Sequence, residues 1–440
     1  MRKIYIFIFA SIITILSVSC KNLVNETLDL MNAVAKDKAA IEITYDGNDS
    51  AESVTQNIIL PAIGPGGTTV TWTSSNTDVI ENNGTVTKPT DGNGNVLVVL
   101  TATISKGIES DTKVFNLTVI HSIMAGYQET YTADGVSFKM SHVSGGLTFP
   151  TGTADDNTST VNNPYWIAET EVTYELWYKV YQWAAIGTGG GATGEGEYTF
   201  ANTGIPGHDG TSGTETTSQE PVTTINWRSA MVWTNALTEW YNAQKGTSYD
   251  CVYNTDSGYI TPFREVNDTA SLFDDPGDQD NPYVNPGAKG FRLLTSMEWE
   301  LAARYRGSDQ TNVVTNTING IDFSNPSDSI YWTKGNSASG AMDNYDNATA
   351  NSVVAVYDNG TVNSTAEVKS KGISGANTLG LYDMSGNVHE LCFTTTSNRV
   401  TRGGSWAGGP SLLQAGYIFT LIPNYSAGDF LGFRFARSAP

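Results

Sequence analysis

Cysteine, histidine and clustered acids are the side chains here that could do chemistry. The chain has three cysteines, Cys20, Cys251 and Cys392, and four histidines, His121, His142, His208 and His389. No two histidines have the close spacing of a helical zinc site. No Ser-His-Asp arrangement is apparent. The glycine-rich residues 187–194 resemble a phosphate cradle, but they lack a closing Lys-Ser/Thr, and Glu195 and Glu197 follow. A phosphate needs N–H donors and positive potential, so the run reads as a surface loop. Asp274-Asp275-Pro276-Gly277-Asp278-Gln279-Asp280 is acidic, yet its glycine misses the sixth place of an EF-hand loop. It reads as solvated.

These residues must be positioned by more than one domain, because 440 residues exceed the usual single core. The 44 glycines, with abundant Asn, Thr and Ser, favour strands and long loops over helix bundles. A formal charge of −21 excludes a nucleic-acid partner, which would need a basic face. At the N-terminus Arg2 and Lys3 precede the apolar residues 4–18, then Ser19-Cys20. That is a secretory pattern, too short for a span of about 20 residues. Cys20 sits as in a bacterial lipoprotein signal, although Leu16 lies one place further from it than usual. The expectation is a signal over 1–19, lipidation at Cys20, a tether over 20–38, and anchorage to the outer membrane or cell surface. Cys251 and Cys392 then remain; exported cysteines can pair, but only geometry decides whether these two meet.

Residues 39–121 show short alternating runs, at 41–45, 69–73, 96–104 and 113–120, separated by Gly- and Asn-rich turns. This predicts a β-sandwich. Thr71-Trp72-Thr73-Ser74-Ser75-Asn76 and Gly84-Thr85-Val86 resemble atrophied bacterial immunoglobulin-like domains, here without a cysteine pair. Nothing in it suggests chemistry, and a spacer role follows. From residue 135 the chain becomes rich in Trp, Tyr and Gly. Helices are expected over 173–185, over 229–244 with a start at Asn226, and over 296–306, where Thr295 and Glu298 form a capping box. This part reads as α+β, making the chain a multidomain protein.

Four ordered segments carry a resemblance. They are Phe291-Arg292-Leu293-Leu294-Thr295-Ser296-Met297-Glu298-Trp299-Glu300, Gly380-Leu381-Tyr382-Asp383-Met384-Ser385-Gly386-Asn387-Val388-His389-Glu390, Arg402-Gly403-Gly404-Ser405-Trp406, and Gly432-Phe433-Arg434. They resemble the formylglycine-generating-enzyme (sulfatase-modifying factor) family, which implies a C-type-lectin fold over 135–440. That family binds copper(I) through two cysteines, and thiolates suit a soft ion. The matching positions are Gly408 and Leu413, so neither copper nor formylglycine chemistry is expected. The resemblance also implies structural calcium, held by Asp383, Glu390 and the carbonyls of Gly386 and Val388, with a second set at Asn344 and the Tyr345 carbonyl. Oxygen-only ligation suits a hard cation.

Between Trp406 and Leu431 the residues are a miscellany. Apart from Gln414, every type there can come from a codon ending in a pyrimidine, the set reached by mutating the adenines of an Asn codon. A stretch bracketed in this way resembles the variable region of diversity-generating-retroelement proteins, here 400–437. Ligand contact is then expected from Trp406, Ala407, Gly408, Ser411, Tyr417, Phe419, Thr420, Leu421, Asn424, Tyr425, Asp429 and Phe430. Aromatics would give rigid area and small polar residues adaptable contacts; Leu413, Ile418 and Ile422 would be core. The leading expectation is a surface lipoprotein binding a protein or carbohydrate. The alternatives are an oxidoreductase acting on sulfatases and a structural surface lipoprotein.

Overall fold

The computed structural model describes residues 24–47, 49–89, 94–121, 123–208, 217–270, 272, 275–394, 396–425 and 428–439. The expected signal over 1–19 and the lipidation site Cys20 lie outside them. The chain divides into two units, Met1–Ile123 and Met124–Pro440.

In the first unit, three antiparallel strands form one sheet, Thr69–Ser74, Val96–Lys106 and Glu109–Val119 in that order. Val98, Leu100, Ala102 and Ile104 are fully buried while the residues between them are not, the period of two that a half-buried strand requires. The two long strands join through Gly107 at φ 60°, a tight turn that a side chain would strain. Trp72 packs without a disulfide: its indole donates to the Pro61 carbonyl at 3.0 Å, and its ring meets Phe115 at 5.4 Å. Residues 41–45 contribute only the bridge Thr44–Ile59 rather than a full strand. Helix α1, residues 24–40, occupies most of the expected tether. It is docked, with Val34 in the core. The Asp37 carboxylate accepts from the Gly66 N–H and the Thr68 hydroxyl, both at 2.7 Å.

The second unit is built on two sheets. One has five strands in the order Phe291–Leu293, Phe435–Ser438, Tyr165–Ala168, Val136–Val143 and Gln128–Ala133. It therefore begins ahead of residue 135. The other has four, Phe419–Leu421, Arg399–Arg402, His389–Leu391 and Leu431–Gly432. Helix α2 is Tyr174–Tyr181, capped by Thr173 and continued by a wider turn at Gln182–Ile186. Helix α3, Trp227–Lys245, is capped by Asn226 and ended by Gly246 in the left-handed region. Every residue from Trp227 to Tyr241 is buried, so α3 runs through the core; its buried Arg228 is neutralised by Asp280 at 2.7 Å. Helix α4, Ser296–Arg304, has the expected capping box. It ends before residue 306 because Tyr305–Gly307 turns into a strand pairing with Tyr331–Trp332. Helix α5, Ala348–Val354, had no clear sequence signal.

The four sequence segments meet in one buried ionic network. Glu390 accepts two hydrogen bonds from the Arg434 guanidinium, each 2.7 Å, and one from the Trp299 indole at 2.7 Å. Arg434 also donates to the carbonyls of Ala168 and Tyr382, tying the two sheets together. On α4, Glu300 accepts from Arg402 at 2.7 Å and from the Gly152 N–H at 2.9 Å. Removing one partner of a buried pair leaves the other charge unpaired, which costs about 3–5 kcal/mol. Arg434→Met is therefore expected to lower the unfolding free energy of the second unit by about that amount, measured by urea denaturation; a loss within the noise would show that Glu390 does not depend on Arg434.

Candidate functional site

Strand alternation in the four-stranded sheet creates the site. Glu390 pairs in register with Arg402, Leu391 with Thr401, and Thr401 with Phe419. Successive side chains point to opposite faces. Glu390 and Arg402 therefore turn into the ionic network, while His389, Leu391, Thr401 and Phe419 share the other face.

Phe419 and Phe430 meet His389 on that second face, whereas residues 415–417 of the segment following Trp406 lie against the Arg402 side chain, which donates to the Tyr417 carbonyl at 3.1 Å. Ala407, Ser411, Phe419, Thr420 and Tyr425 are exposed, and Trp406, Tyr417, Asn424, Asp429 and Phe430 are half-buried. Two expected contacts drop out, because Gly408 and Leu421 are buried. Leu413 is core, as expected. Ile418 and Ile422 are not; they are 46% and 47% exposed, beside Phe419 at 40% and Tyr425 at 37%. They flank a three-residue edge strand from which only Leu421 reaches the interior.

A clamp closes the segment. Trp406 donates its indole N–H to the Asp429 carbonyl at 3.2 Å. His208 stacks on Trp406, ring centroids 4.1 Å apart, and pairs with the Asp429 carboxylate at 2.6 Å. Its backbone N–H donates to the Thr365 hydroxyl at 2.7 Å. Sequence reasoning passed over His208, which lies far from the segment in the chain and in no recognised motif.

His389 forms the floor. It is 4% exposed, with Phe419 at 5.6 Å and Phe430 at 6.1 Å between ring centroids. Burial pushes its pKa down to about 4, partly opposed by a hydrogen bond to the Arg402 backbone. Nothing in its spacing marked it as special; only the register of its strand does.

Two further acids shape the surroundings. Glu171 is buried and accepts from the Asn387 side chain and the Val388 N–H. Burial, then Asp383 and Glu390, push its pKa well up. In the glycine-rich loop, the Glu195 carboxylate accepts from the N–H groups of Gly190 and Ala192 at 3.1 and 3.2 Å, and from Thr188. The Thr188 hydroxyl contributes most to holding its pKa down to about 2. The loop's donors are thus filled by its own acid.

A family profile described as "Sulfatase-modifying factor enzyme 1-like domain" matches residues 129–439, and one described as "Atrophied bacterial Ig domain" matches 34–122. The chain belongs to the sulfatase-modifying factor enzyme 1-like family. Chaperone protein LppX of Paenibacillus barcinonensis is 28% identical over 207 residues, 45% of this chain and 68% of that protein. Among solved structures, Treponema denticola variable protein 1 is 27% identical, with 71% of this chain and 99% of that one covered and a TM-score of 0.47. CarF is 25% identical, covering 69% and 99%, with a TM-score of 0.48. PvdO from Pseudomonas aeruginosa is 15% identical, covering 72% and 100%, with a TM-score of 0.41.

The positions carried over from the formylglycine-generating enzymes of this family can now be placed. Leu413 packs among Ala338, Ala341, Val354, Ala355 and Tyr357. A Cβ on Gly408 would stand 2.7 Å from a Leu412 methyl. Cys251 and Cys392 are buried and free, so they do not pair. Burial pushes both thiols up, away from the thiolate that would react. Of the calcium sets, the one with Asp383, Gly386, Val388 and Glu390 does not fit. Both Glu390 oxygens are spent on Arg434 and Trp299, and Asp383 accepts from the Lys369 N–H at 2.7 Å. Among the described residues no group of three or more His, Cys, Asp or Glu side chains could hold a metal. The second set fits better. Asn344 Oδ1 and Asn351 Oδ1 are buried acceptors without partners, although the Tyr345 carbonyl already accepts from the Asn351 amide at 2.6 Å and has one lone pair left.

His389 gives the site a pH signature. Its folded pKa lies below the unfolded value of 6.5, so the unfolded chain takes up the proton first. Stability should fall as pH drops from about 6.5 to about 4 and level off below, by about 3 kcal/mol in all. Urea denaturation at several pH values checks this against His389→Phe, which should lose that part of the slope; identical profiles would show that His389 is not held neutral.

Proposed function

We propose that this chain is a surface-displayed lipoprotein that binds a ligand through the face formed by residues 406–430. The observation that carries the reading is the split between a buried frame and an exposed filling. Arg402, Ser405, Phe433 and Arg434 are buried, while Ile418, Phe419, Ile422 and Tyr425 stand out. Adjacent exposed apolar side chains in a soluble unit mark an interaction surface. The absence of thiols at Gly408 and Leu413 supports binding over family oxidation chemistry.

The same split suits diversification, because exposed residues can change without disturbing the core. It also sets limits. A Cβ on Gly416 would stand 2.3 Å from the Gly152 carbonyl carbon, and Leu413, Ala415 and Leu421 are buried. Isolates should therefore vary at 407, 411, 418–420, 422 and 425 and keep Leu413, Ala415, Gly416 and Leu421. A near-copy of the codons for 400–437, with adenines at the divergent positions, should lie nearby with a reverse-transcriptase gene. A fixed 407–430 across isolates, with no such copy, would end this reading.

Calcium at Asn344 and the Tyr345 carbonyl is part of the proposal, supported by the unpaired oxygens of Asn344 and Asn351. Its role is structural. A ligand at a hundred times its dissociation constant stabilises by about 2.7 kcal/mol, so calcium should raise the melting temperature of the intact chain by several degrees over EGTA. Asn344→Ala should abolish the increment; no increment in the unaltered chain would refute the site.

A further inference from the structure

The five- and four-stranded sheets of the second unit end in four outer strands, and three of them are guarded. Phe291–Leu293 sends the N–H groups of Phe291 and Leu293 to the hydroxyls of Thr238 and Tyr253. Gln128–Ala133 carries Glu129, and a charge on an outer strand discourages pairing with another chain. Leu431–Gly432 is buried. The fourth, Phe419–Leu421, carries no charge, and Phe419 and Thr420 are exposed. Its free side can be read from the sheet. The Val400 carbonyl accepts from the Cys392 N–H at 2.9 Å, so Val400 turns its main-chain groups toward His389–Leu391. Its neighbours Arg399 and Thr401 then turn theirs toward Leu421 and Phe419, with which they pair. Thr420, between those two, points its own N–H and C=O out of the sheet, where no described residue meets them.

We infer that two copies of this chain pair antiparallel along this edge, about a two-fold axis at Thr420. In such a pairing Thr420 meets the partner's Thr420 and exchanges two main-chain hydrogen bonds with it, and Ile418 meets the partner's Ile422, a contact that the symmetry repeats. The edge is self-complementary in its side chains as well. Ile418 and Ile422 stand two residues to either side of Thr420, both nearly half exposed. Charge selects the occupant. Each copy carries −21, so two copies repel unless they meet where neither is charged. Residues 415–428 contain no charged side chain. On the adjoining strand Arg399 and Arg402 are buried, and Asp429 pairs with His208. A strongly charged partner would find no counter-charge here; a second copy of the same neutral edge needs none. The main chain supplies the bonds, so the pairing tolerates exchange of the side chains. Phe419 alternates to the opposite face from Thr420, so its side stays open and two copies of it come side by side. The inference goes beyond the binding role and does not depend on it.

The test is sedimentation equilibrium of the full chain carrying Cys20→Ser, so that no lipid drives association. Its mass should rise from one copy toward two across the micromolar range. Thr420→Pro, added to that chain, deletes an N–H that the chain's own sheet does not use, and proline is accepted on an outer strand with that side facing solvent. It should weaken association by about tenfold or more, the worth of the two hydrogen bonds lost per dimer. Thr420→Val keeps the N–H and should associate like the parent chain. Hydrogen exchange gives a second readout that needs no change at Thr420. The Thr420 N–H should exchange more slowly as concentration rises, whereas those of Phe419 and Leu421, bonded within the chain, should not change. A chain that stays single at every concentration, association that Thr420→Pro leaves intact, or a Thr420 N–H that exchanges alike throughout would each overturn the pairing.

Discussion

The pairing of Glu390 with Arg434 is the contact on which the second unit depends. Both groups are removed from water, and neither would be tolerated there alone. Their geometry is bidentate, the strongest form of such a pair. Arg434 leads directly into the strand Phe435–Ser438 of the five-stranded sheet, and Glu390 lies in the middle strand His389–Leu391 of the other. The remaining donors of Arg434 reach carbonyls at residues 168, 169 and 382. One guanidinium thus fixes three chain segments that are distant in sequence. Trp299 brings in a fourth, α4, whose Glu300 fixes Arg402 in turn.

The same strand that buries Glu390 orients the site. Because side chains alternate, placing Glu390 inward obliges His389 to face the other way. The floor of the candidate site is therefore set by the scaffold and not by the segment above it. Glu171, Asp383 and Glu390 all lie near Arg434, and burial, then the charges of Asp383 and Glu390, push the Glu171 pKa well up. This crowding also explains why the stretch that resembled a calcium loop is arranged differently. Its strongest oxygen donor is a counter-ion to arginine.

Much of this was legible in the sequence where short-range patterns or ordered motifs carried it. The period-two burial of Val98 to Ile104 and the Thr295–Glu298 capping box are local signals, and both are present. The family followed from motifs that turn out to be the partners in one network. What the sequence hid were contacts made by distant residues. His208 reaches Trp406 and Asp429 across roughly half the chain. Ile418 and Ile422 look like core residues by type, yet they flank an edge strand too short to bury them. Burial there is decided by how a short strand ends, which composition does not encode. Helix α5 was missed because its seven residues, rich in Ala, Thr, Asn and Ser, have little helical periodicity; the Asn347 cap and the packing of Val354 hold it.

The division of labour between frame and filling has an energetic reason. A side chain that is already exposed contributes little to folding, so replacing it changes stability by only a fraction of a kilocalorie in most cases. The residues that cannot change are those whose loss opens a cavity or unpairs a charge, here Leu413 and Arg402. Trp406 and Asp429 occupy the boundary: they are partly exposed, yet the clamp through His208 joins the two ends of the segment. Fixing those ends would limit the conformations that the intervening residues give up if they bind the proposed ligand, and ordering loops is a principal cost of association. A surface whose side chains are free to differ therefore gains most from an anchor that lies outside it, and His208 lies outside it.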